Sequence, residues 1–169
     1  MELKILTEGD IDELRVFLES LSSQVIYDYG RWTEEEHRDK SKETAKQVLT
    51  DRNEIAVGYF EKGKLLGYGH LNTFNKRSRR FQASLGLVVH QDYHGKRIGR
   101  ELLDFLLMIA RRKGCKKVWA HIHGDNVKSL RLFAREGFQV EGLFRDDEWY
   151  NEEPISVISV AKFLEGERK

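Results

Sequence analysis

The sequence predicts a mixed α/β fold, a single sheet with helices packed against it. Three observations predict it. Stretches with apolar residues at helical spacing are interspersed with short runs of strict apolar–polar alternation. The 169 residues contain one proline, Pro154, and no Gly/Ser tract, so nothing reads as a linker, and no internal repeat is found. A chain of this length buries roughly two-thirds of its unfolded surface, enough for a core without staples. The expectation is a single domain over residues 1–169.

The elements follow in order. "LKIL" at 3–6 reads as a short strand, and Thr7 or Asp10 caps a helix to about Ser20 with Ile11, Leu14, Phe17 and Leu18 at helical spacing. "RWTEEEHRDKSKETAKQVL" starts a second helix, with Thr33 as N-cap and Glu36 three residues on as its capping box. "EIAVGYFEKGKLLGYGHLNTF" gives two strands around a turn at Lys62–Gly63. In "RRFQASLGLVV", Phe81, Ala83, Leu85, Leu87 and Val89 share one face. A helix beginning near Lys96 buries Ile98, Leu102, Phe105, Leu106 and Ile109, carries Arg111 to Lys113 in its last turn, and stops at Gly114. "KVWAHIH" is a strand with Val118, Ala120 and Ile122 on one face and Trp119, His121 and His123 on the other. A short helix, "DNVKSLRLFAREG", is closed by Gly137, and two strands around a turn containing Pro154 finish the chain.

Composition removes several function classes. The 29 basic and 28 acidic residues nearly cancel, so bulk charge gives no argument for nucleic-acid or membrane binding. One cysteine, Cys115, makes no internal disulfide and fits a reducing compartment. The N-terminal "MELKILTEGD" lacks the long apolar stretch of a secretory signal, and the run Phe105 to Ala110 is too short to span a bilayer. A cytoplasmic location is expected.

Chemistry concentrates in "HQDYHGKRIGRELL", His90 to Leu103. A strand ending at Val89 and a helix starting near Lys96 leave helix N–H groups pointing into a loop, where the donors and the helix dipole attract an anion. Gly95 allows close backbone approach, Gly99 opens the first turn, and His94, Lys96, Arg97 and Arg100 add positive charge. A tight turn with a packing glycine and solvated basic side chains is the plainer reading of the same residues. The three-glycine dinucleotide fingerprint is absent, and so is the Gly-Lys-Ser/Thr triplet of the P-loop.

"LGLVVHQDYHGKRIGRELL", followed about thirty residues on by "HGDNVKSLRLFAREGFQVEG", resembles the GNAT superfamily of acetyl-CoA-dependent N-acetyltransferases, most closely from Ser84 to Gly142. The resemblance implies a mostly antiparallel sheet flanked by helices, with a splayed pair of central strands binding coenzyme A. It places the pyrophosphate in a Gln/Arg-x-x-Gly-x-Gly/Ala loop, which here is His94, Gly95, Lys96, Arg97, Ile98 and Gly99, with Arg100 beside it. His94 departs at the first position and Arg97 at the fourth, where the family has glycine. Asn126 and Ser129 are implied to meet the pantetheine or phosphate side; the plainer reading is helix capping, to which Asn126 and Asp125 are well suited. Acetyl-CoA is thus the implied co-substrate, with no metal.

Moving an acetyl group from a thioester to an amine needs a neutral amine, a stabilised oxyanion and a departing thiolate. By resemblance the oxyanion donors are backbone N–H groups at Leu87, Val88 and Val89, where a bulge splays the strands, and Gly86 suits such a bulge. The family's usual acid, a tyrosine before Gly-Phe, is here Phe133, which cannot donate a proton and packs on the cofactor or core. A thiol pKa of about 8.5 makes the thiolate a fair leaving group without that acid. No carboxylate stands in "FQASLGLVV", so His121 and His123 are the candidate bases; the alternative is a polar strand face. Their H-x-H spacing lacks an obvious third metal ligand beyond Asp125.

Acidic clusters at Glu34–Glu36, Asp146–Glu148 and Glu152–Glu153 fall on segments that border the acceptor site in the family, which suits a cationic amine; a solvated charged surface is the alternative. "NKRSRR", Asn75 to Arg80, is a solvated loop or a ribosomal or other nucleic-acid contact. The function that results is N-acetylation of a primary amine of a small molecule or peptide. The alternatives are a non-enzymatic acyl-CoA-binding module and acetylation of a ribosomal or other protein N-terminus. A homodimer is left open.

Overall fold

Period-two patterning builds the sheet. In the computed structural model, which describes residues 1–164, seven strands form one sheet in the order β1-β2-β3-β4-β5-β7-β6. They are β1 (Glu2–Ile5), β2 (Glu54–Glu61), β3 (Lys64–Thr73), β4 (Gln82–Val89), β5 (Lys117–His123), β6 (Gln139–Tyr150) and β7 (Glu153–Phe163). Every neighbouring pair is antiparallel except β4 and β5, which run parallel. The Lys62–Gly63 turn joins β2 to β3 with both residues at positive φ, 50° and 78°.

Each face of the sheet has its own core. On one lie α5 (Ile98–Arg112) and α6 (Val127–Arg135), with Leu102, Leu103 and Leu106 fully buried against Ala83, Leu85, Val118 and Ala120. Leu87 and Val89 pack on this face as their alternation requires, while Val88 points to the other. The opposite core is roofed by α1 (Ile11–Glu19), α2 (Ser23–Tyr29), α3 (Glu34–Arg38) and α4 (Ser41–Thr50). Thr7 and Thr33 start their helical segments with the expected side chains: Asp10 Oδ2 accepts from Thr7 N at 2.9 Å, and Thr33 Oγ1 accepts from Glu36 N at 3.2 Å.

The helical layer differs from expectation in two places. An additional helix, α2, lies between Ser22, whose Oγ accepts from Val25 N, and Gly30, left-handed at φ 65°. The expected second helix is broken into α3 and α4, where the amides of Asp39 and Lys40 both turn back to Glu35 O and close α3. His37 of α3 is fully buried against Trp32, ring centroids 5.4 Å apart, and neither ring nitrogen has a partner. Burial pushes its pKa down to about 4, Arg38 adding to the effect and Glu36 opposing it.

Two local expectations are corrected. The last hairpin turns at Asn151–Glu152, both at positive φ, and Pro154 sits inside β7 opposite Trp149. The missing N–H is harmless there, because β5 pairs with β7 only from Val157 onward. Gly86 is not at a bulge: the β3–β4 register runs unbroken from Gly67↔Val89 to Thr73↔Ala83. Its lacking side chain serves the cross-strand neighbour, since a Cβ on Gly86 would stand 2.6 Å from His70 Cε1.

Candidate active site between β4 and β5

The parallel pairing of β4 with β5 lasts three residue pairs, Gln82↔Lys117, Ala83↔Val118 and Ser84↔Trp119. Beyond Ser84 the strands part, β4 continuing with β3 to Val89 and β5 with β7 to His123. The facing edges keep backbone groups that no strand satisfies, and these need partners from elsewhere. A cavity of about 900 Å³ occupies the gap, walled by Leu85 to Val89, Ala120 to Ile122, Tyr29 and Phe133.

At one end the cavity meets the loop before α5. Gly95 takes φ 79° and Arg97 φ 65°, so the chain curls and presents its amides outward. The N–H groups from Gly95 to Arg100 meet no acceptor among the described residues, and the first bond into α5 is Glu101 N to Arg97 O. A Cβ on Gly99 would make only ordinary contacts, the nearest 3.4 Å to Leu132. The donor set fits a polyphosphate: six free amides at the start of a 15-residue helix, with Arg97, Arg100, Lys128, Arg131 and Arg135 lining the same cavity. Glu136 bridges Arg100 at 3.1 Å and holds it on the cavity rim. The left-handed φ of Arg97 explains why the family writes glycine at that position.

Of the residues singled out in the sequence, Leu87, Val88, Val89, His94, Gly95, Arg97, Ile98, Gly99, Arg100, His121, Asn126, Ser129 and Phe133 converge on this cavity. Lys96 stands beside it with its ammonium over the Tyr93 ring, 4.6 Å from the centroid, and His94 Nε2 bonds Val89 O at 2.9 Å. Asn126 Oδ1 accepts from Ser129 N at 3.1 Å and caps α6, while its Nδ2 donates to Asp28 O of α2 at 3.0 Å. Phe133 is buried and packs edge-on to Phe138, 4.9 Å between centroids.

The two strand histidines part company. His121 is exposed, lines the cavity and touches the rings of Trp119 and Phe144. His123 is buried, and its Nε2 bonds Glu148 Oε2 at 2.9 Å in a second pocket of about 590 Å³. That pocket lies between the α2–α3 connection and the β6–β7 hairpin. Glu34, Glu35, Glu36 and Glu148 line it with Tyr27, Trp32, Trp149 and Tyr150. Burial and a 2.8 Å bond to Asp125 push the Tyr27 phenol up to about 12.

Sequence reasoning missed a polar cluster behind the cavity. Arg31 clamps Glu54 with both terminal nitrogens, Tyr68 donates to Glu54 at 2.8 Å, and Tyr29 Oη lies 2.8 Å from His70 Nδ1. Burial and the Arg31 charge hold His70 well below the usual imidazole range, and burial keeps the Tyr29 and Tyr68 phenols protonated. Ser22 and Gly30, flanking α2, were the sequence signal that would have brought Tyr29 into view. Among the described residues no group of three or more His, Cys, Asp or Glu is placed to hold a metal ion, and no helix is long and apolar enough to cross a membrane.

Comparison with known proteins agrees with this geometry. The acetyltransferase (GNAT) family model matches residues 18–138. A protein of Bacillus subtilis subsp. natto named probable spermine N(1)-acetyltransferase is 30% identical over 111 residues, 59% of this chain and 72% of its own length. The L-methionine sulfoximine/L-methionine sulfone acetyltransferase of Salmonella typhimurium is 30% identical over 93 residues, 55% of this chain and 50% of that protein. Among solved structures, yncA from Salmonella typhimurium, determined with its cofactor acetyl-CoA, superposes with a TM-score of 0.78 at 20% identity, over 100% of this chain and 96% of that one.

Proposed function

We propose, from the premise that this chain belongs to the acetyltransferase (GNAT) family, that its acceptor is a primary amine on a cationic, polyamine-like chain. The chain is an acetyl-CoA-dependent N-acetyltransferase, so the class of reaction is that of an enzyme and not of a passive acyl-CoA-binding module. The observation that carries the choice of acceptor is the second pocket, where four glutamates surround a space with aromatic walls. Carboxylates draw a polycation and ring faces hold ammonium groups. The relative named for spermine agrees with that chemistry.

When bound, acetyl-CoA supplies an acetyl group activated as a thioester. The free amides from Gly95 to Arg100, with Arg97, Lys128, Arg131 and Arg135, hold its phosphates. The unpaired edges of β4 and β5 orient its amide-bearing arm, which takes the place of a missing strand. Backbone N–H groups at Leu87 and Val89, which the ladder with β3 leaves facing the cleft, stabilise charge on the carbonyl oxygen, while the Val88 N–H is spent on β3. Phe133 closes the wall from the α6 side and keeps water out. Of the two candidate bases read from sequence, His121 and His123, only His121 lines this cavity. α2 walls both cavities, so an amine seated by the glutamates reaches the cleft past Tyr29 and Gly30.

The test is free-thiol release from acetyl-CoA with spermine, spermidine, methionine sulfoximine, amino acids and N-terminal peptides as acceptors. Polyamines should give the highest kcat/KM. Glu34→Gln with Glu148→Gln should raise KM for the polyamine and leave acetyl-CoA affinity unchanged. Faster turnover of methionine sulfoximine than of any polyamine would defeat the cationic-acceptor reading.

A further inference from the structure

We propose that Tyr29 and His70 form the proton-accepting path of the transfer reaction, with Tyr29 taking the proton of the attacking amine and His70 receiving it in turn. The proposal rests on the acetyl-transfer reading above. It is carried by the placement of two residues on the sheet face opposite α5.

His70 sits on β3 directly across from Gly86, on the part of β4 that has lost β5. The space above Gly86 is filled by the imidazole edge: a Cβ there would lie 2.6 Å from Cε1 and 3.3 Å from Nε2. Tyr29, on the last turn of α2, lines the same cavity, and its hydroxyl meets His70 Nδ1 at 2.8 Å. His70 is buried, and its Nε2, which has no partner among the described residues, faces Gly86, part of the cavity wall. The path therefore has a cavity end at Tyr29 and a discharge end at Nε2.

The surroundings keep the pair neutral and aimed. Tyr68 stacks on His70 at 6.2 Å and 27°, and Tyr29 meets it edge-on at 6.0 Å and 74°. The charged and titratable groups facing His70 are Tyr29 and Arg31 from the α2 side, Tyr68 on its own strand and Glu54 on β2; β4 presents Gly86. Arg31 and Glu54 neutralise each other. Burial and Arg31 leave His70 an uncharged acceptor at working pH. The N–C bond then forms as the C–S bond breaks, and the sulfur leaves with the electron pair. The nitrogen's proton passes to the Tyr29 oxygen while the Tyr29 proton passes to His70 Nδ1. Nε2–H returns the surplus proton to water. This path needs neither a strand carboxylate nor a tyrosine at Phe133.

The experiment compares the parent with Tyr29→Phe, His70→Gln, the double variant and His121→Gln. Spermidine and a series of less basic primary amines serve as acceptors, across about pH 5 to 9. Each single change on the path should lower kcat on the order of 10²-fold or more. The double variant should be no slower than the worse single, because both interrupt one path. The loss should be greatest for the most basic amines, and acetyl-CoA affinity by calorimetry should stay within about twofold, far below the tenfold that 1.4 kcal/mol represents. Tyr29→Phe removes one oxygen from a half-buried ring, so it reads the path even if His70→Gln folds poorly. Parent kcat in a folded Tyr29→Phe would overturn the proposal. So would an equal loss for all amines with the parent pH profile, which marks a structural role, or removal of the acid limb by His121→Gln alone. A parent that releases thiol with no amine would defeat the acetyl-transfer reading itself, and this path with it.

Discussion

Replacing His37 by leucine should make the protein markedly more resistant to acid. The imidazole is buried against Trp32 with both nitrogens unpartnered, so it resists the charge that an unfolded chain accepts freely. Its folded pKa of about 4 lies below the ordinary 6.5. A depressed folded pKa means full stability above the unfolded value and progressive loss as pH falls from 6.5 towards 4. Integrating the linkage, His37 costs about 2 kcal/mol at about pH 5 and nothing measurable at about pH 7.5. Urea unfolding of parent and His37→Leu at the two pH values measures this directly. Packing differences of leucine act at both pH values and cancel in the comparison. The parent should lose about 2 kcal/mol more than the variant on acidification. Parallel losses would show that His37 reaches solvent or a hydrogen-bond partner, and would refute the reasoning.

Other positions give equally direct tests. Arg97→Gly should raise stability by about 0.5–1 kcal/mol, because it relieves a left-handed residue at φ 65°; a lower melting temperature would contradict this. Gly99→Asp has room for its Cβ, so it should fold normally yet bind acetyl-CoA at least tenfold more weakly by calorimetry, since the carboxylate faces the phosphate donors. Glu54→Ala strands the Arg31 charge and the Tyr68 hydroxyl, and should cost about 3 kcal/mol in urea unfolding. Phe133→Tyr should keep or raise the transfer rate; a large loss in a folded variant would assign the ring a packing role that one oxygen disrupts.

What the sequence reveals depends on whether the signal is local. Alternation in "KVWAHIH" and the stripe of Ile98, Leu102 and Leu106 are local, and both elements lie where their patterns put them. The anion loop is local too, because glycines, basic residues and a helix start are neighbours in the chain. The departure of β5 from β4 is not, since Ala120 to His123 alternate identically whether or not a strand lies beside them. The His70–Gly86 contact depends on register, which joins residues sixteen apart that carry no mutual signal. Proline is the loudest turn residue and draws the expected turn to Pro154, whereas the hairpin uses the left-handed tolerance of Asn151. Opposite environments for His121 and His123 arise from what sits above β5: Glu148 and Tyr27 cover one, while the cavity opens at the other.

Among the described residues, β4 and β5, where the first four strands meet the last three, pair over only three residue pairs. Strain in a sheet normally travels along continuous ladders, and here the ladder is interrupted near its middle. The two half-sheets are held together by α5 beneath and by the Tyr27–Asp125 and Asn126–Asp28 bonds above. They should therefore exchange amide protons as separate cooperative units, the seam opening at lower free energy than either half. A molecule that spans both edges supplies the missing rungs and fuses the units into one. Its affinity then reappears as resistance to global unfolding, about 2.7 kcal/mol when it is present at a hundred times its dissociation constant.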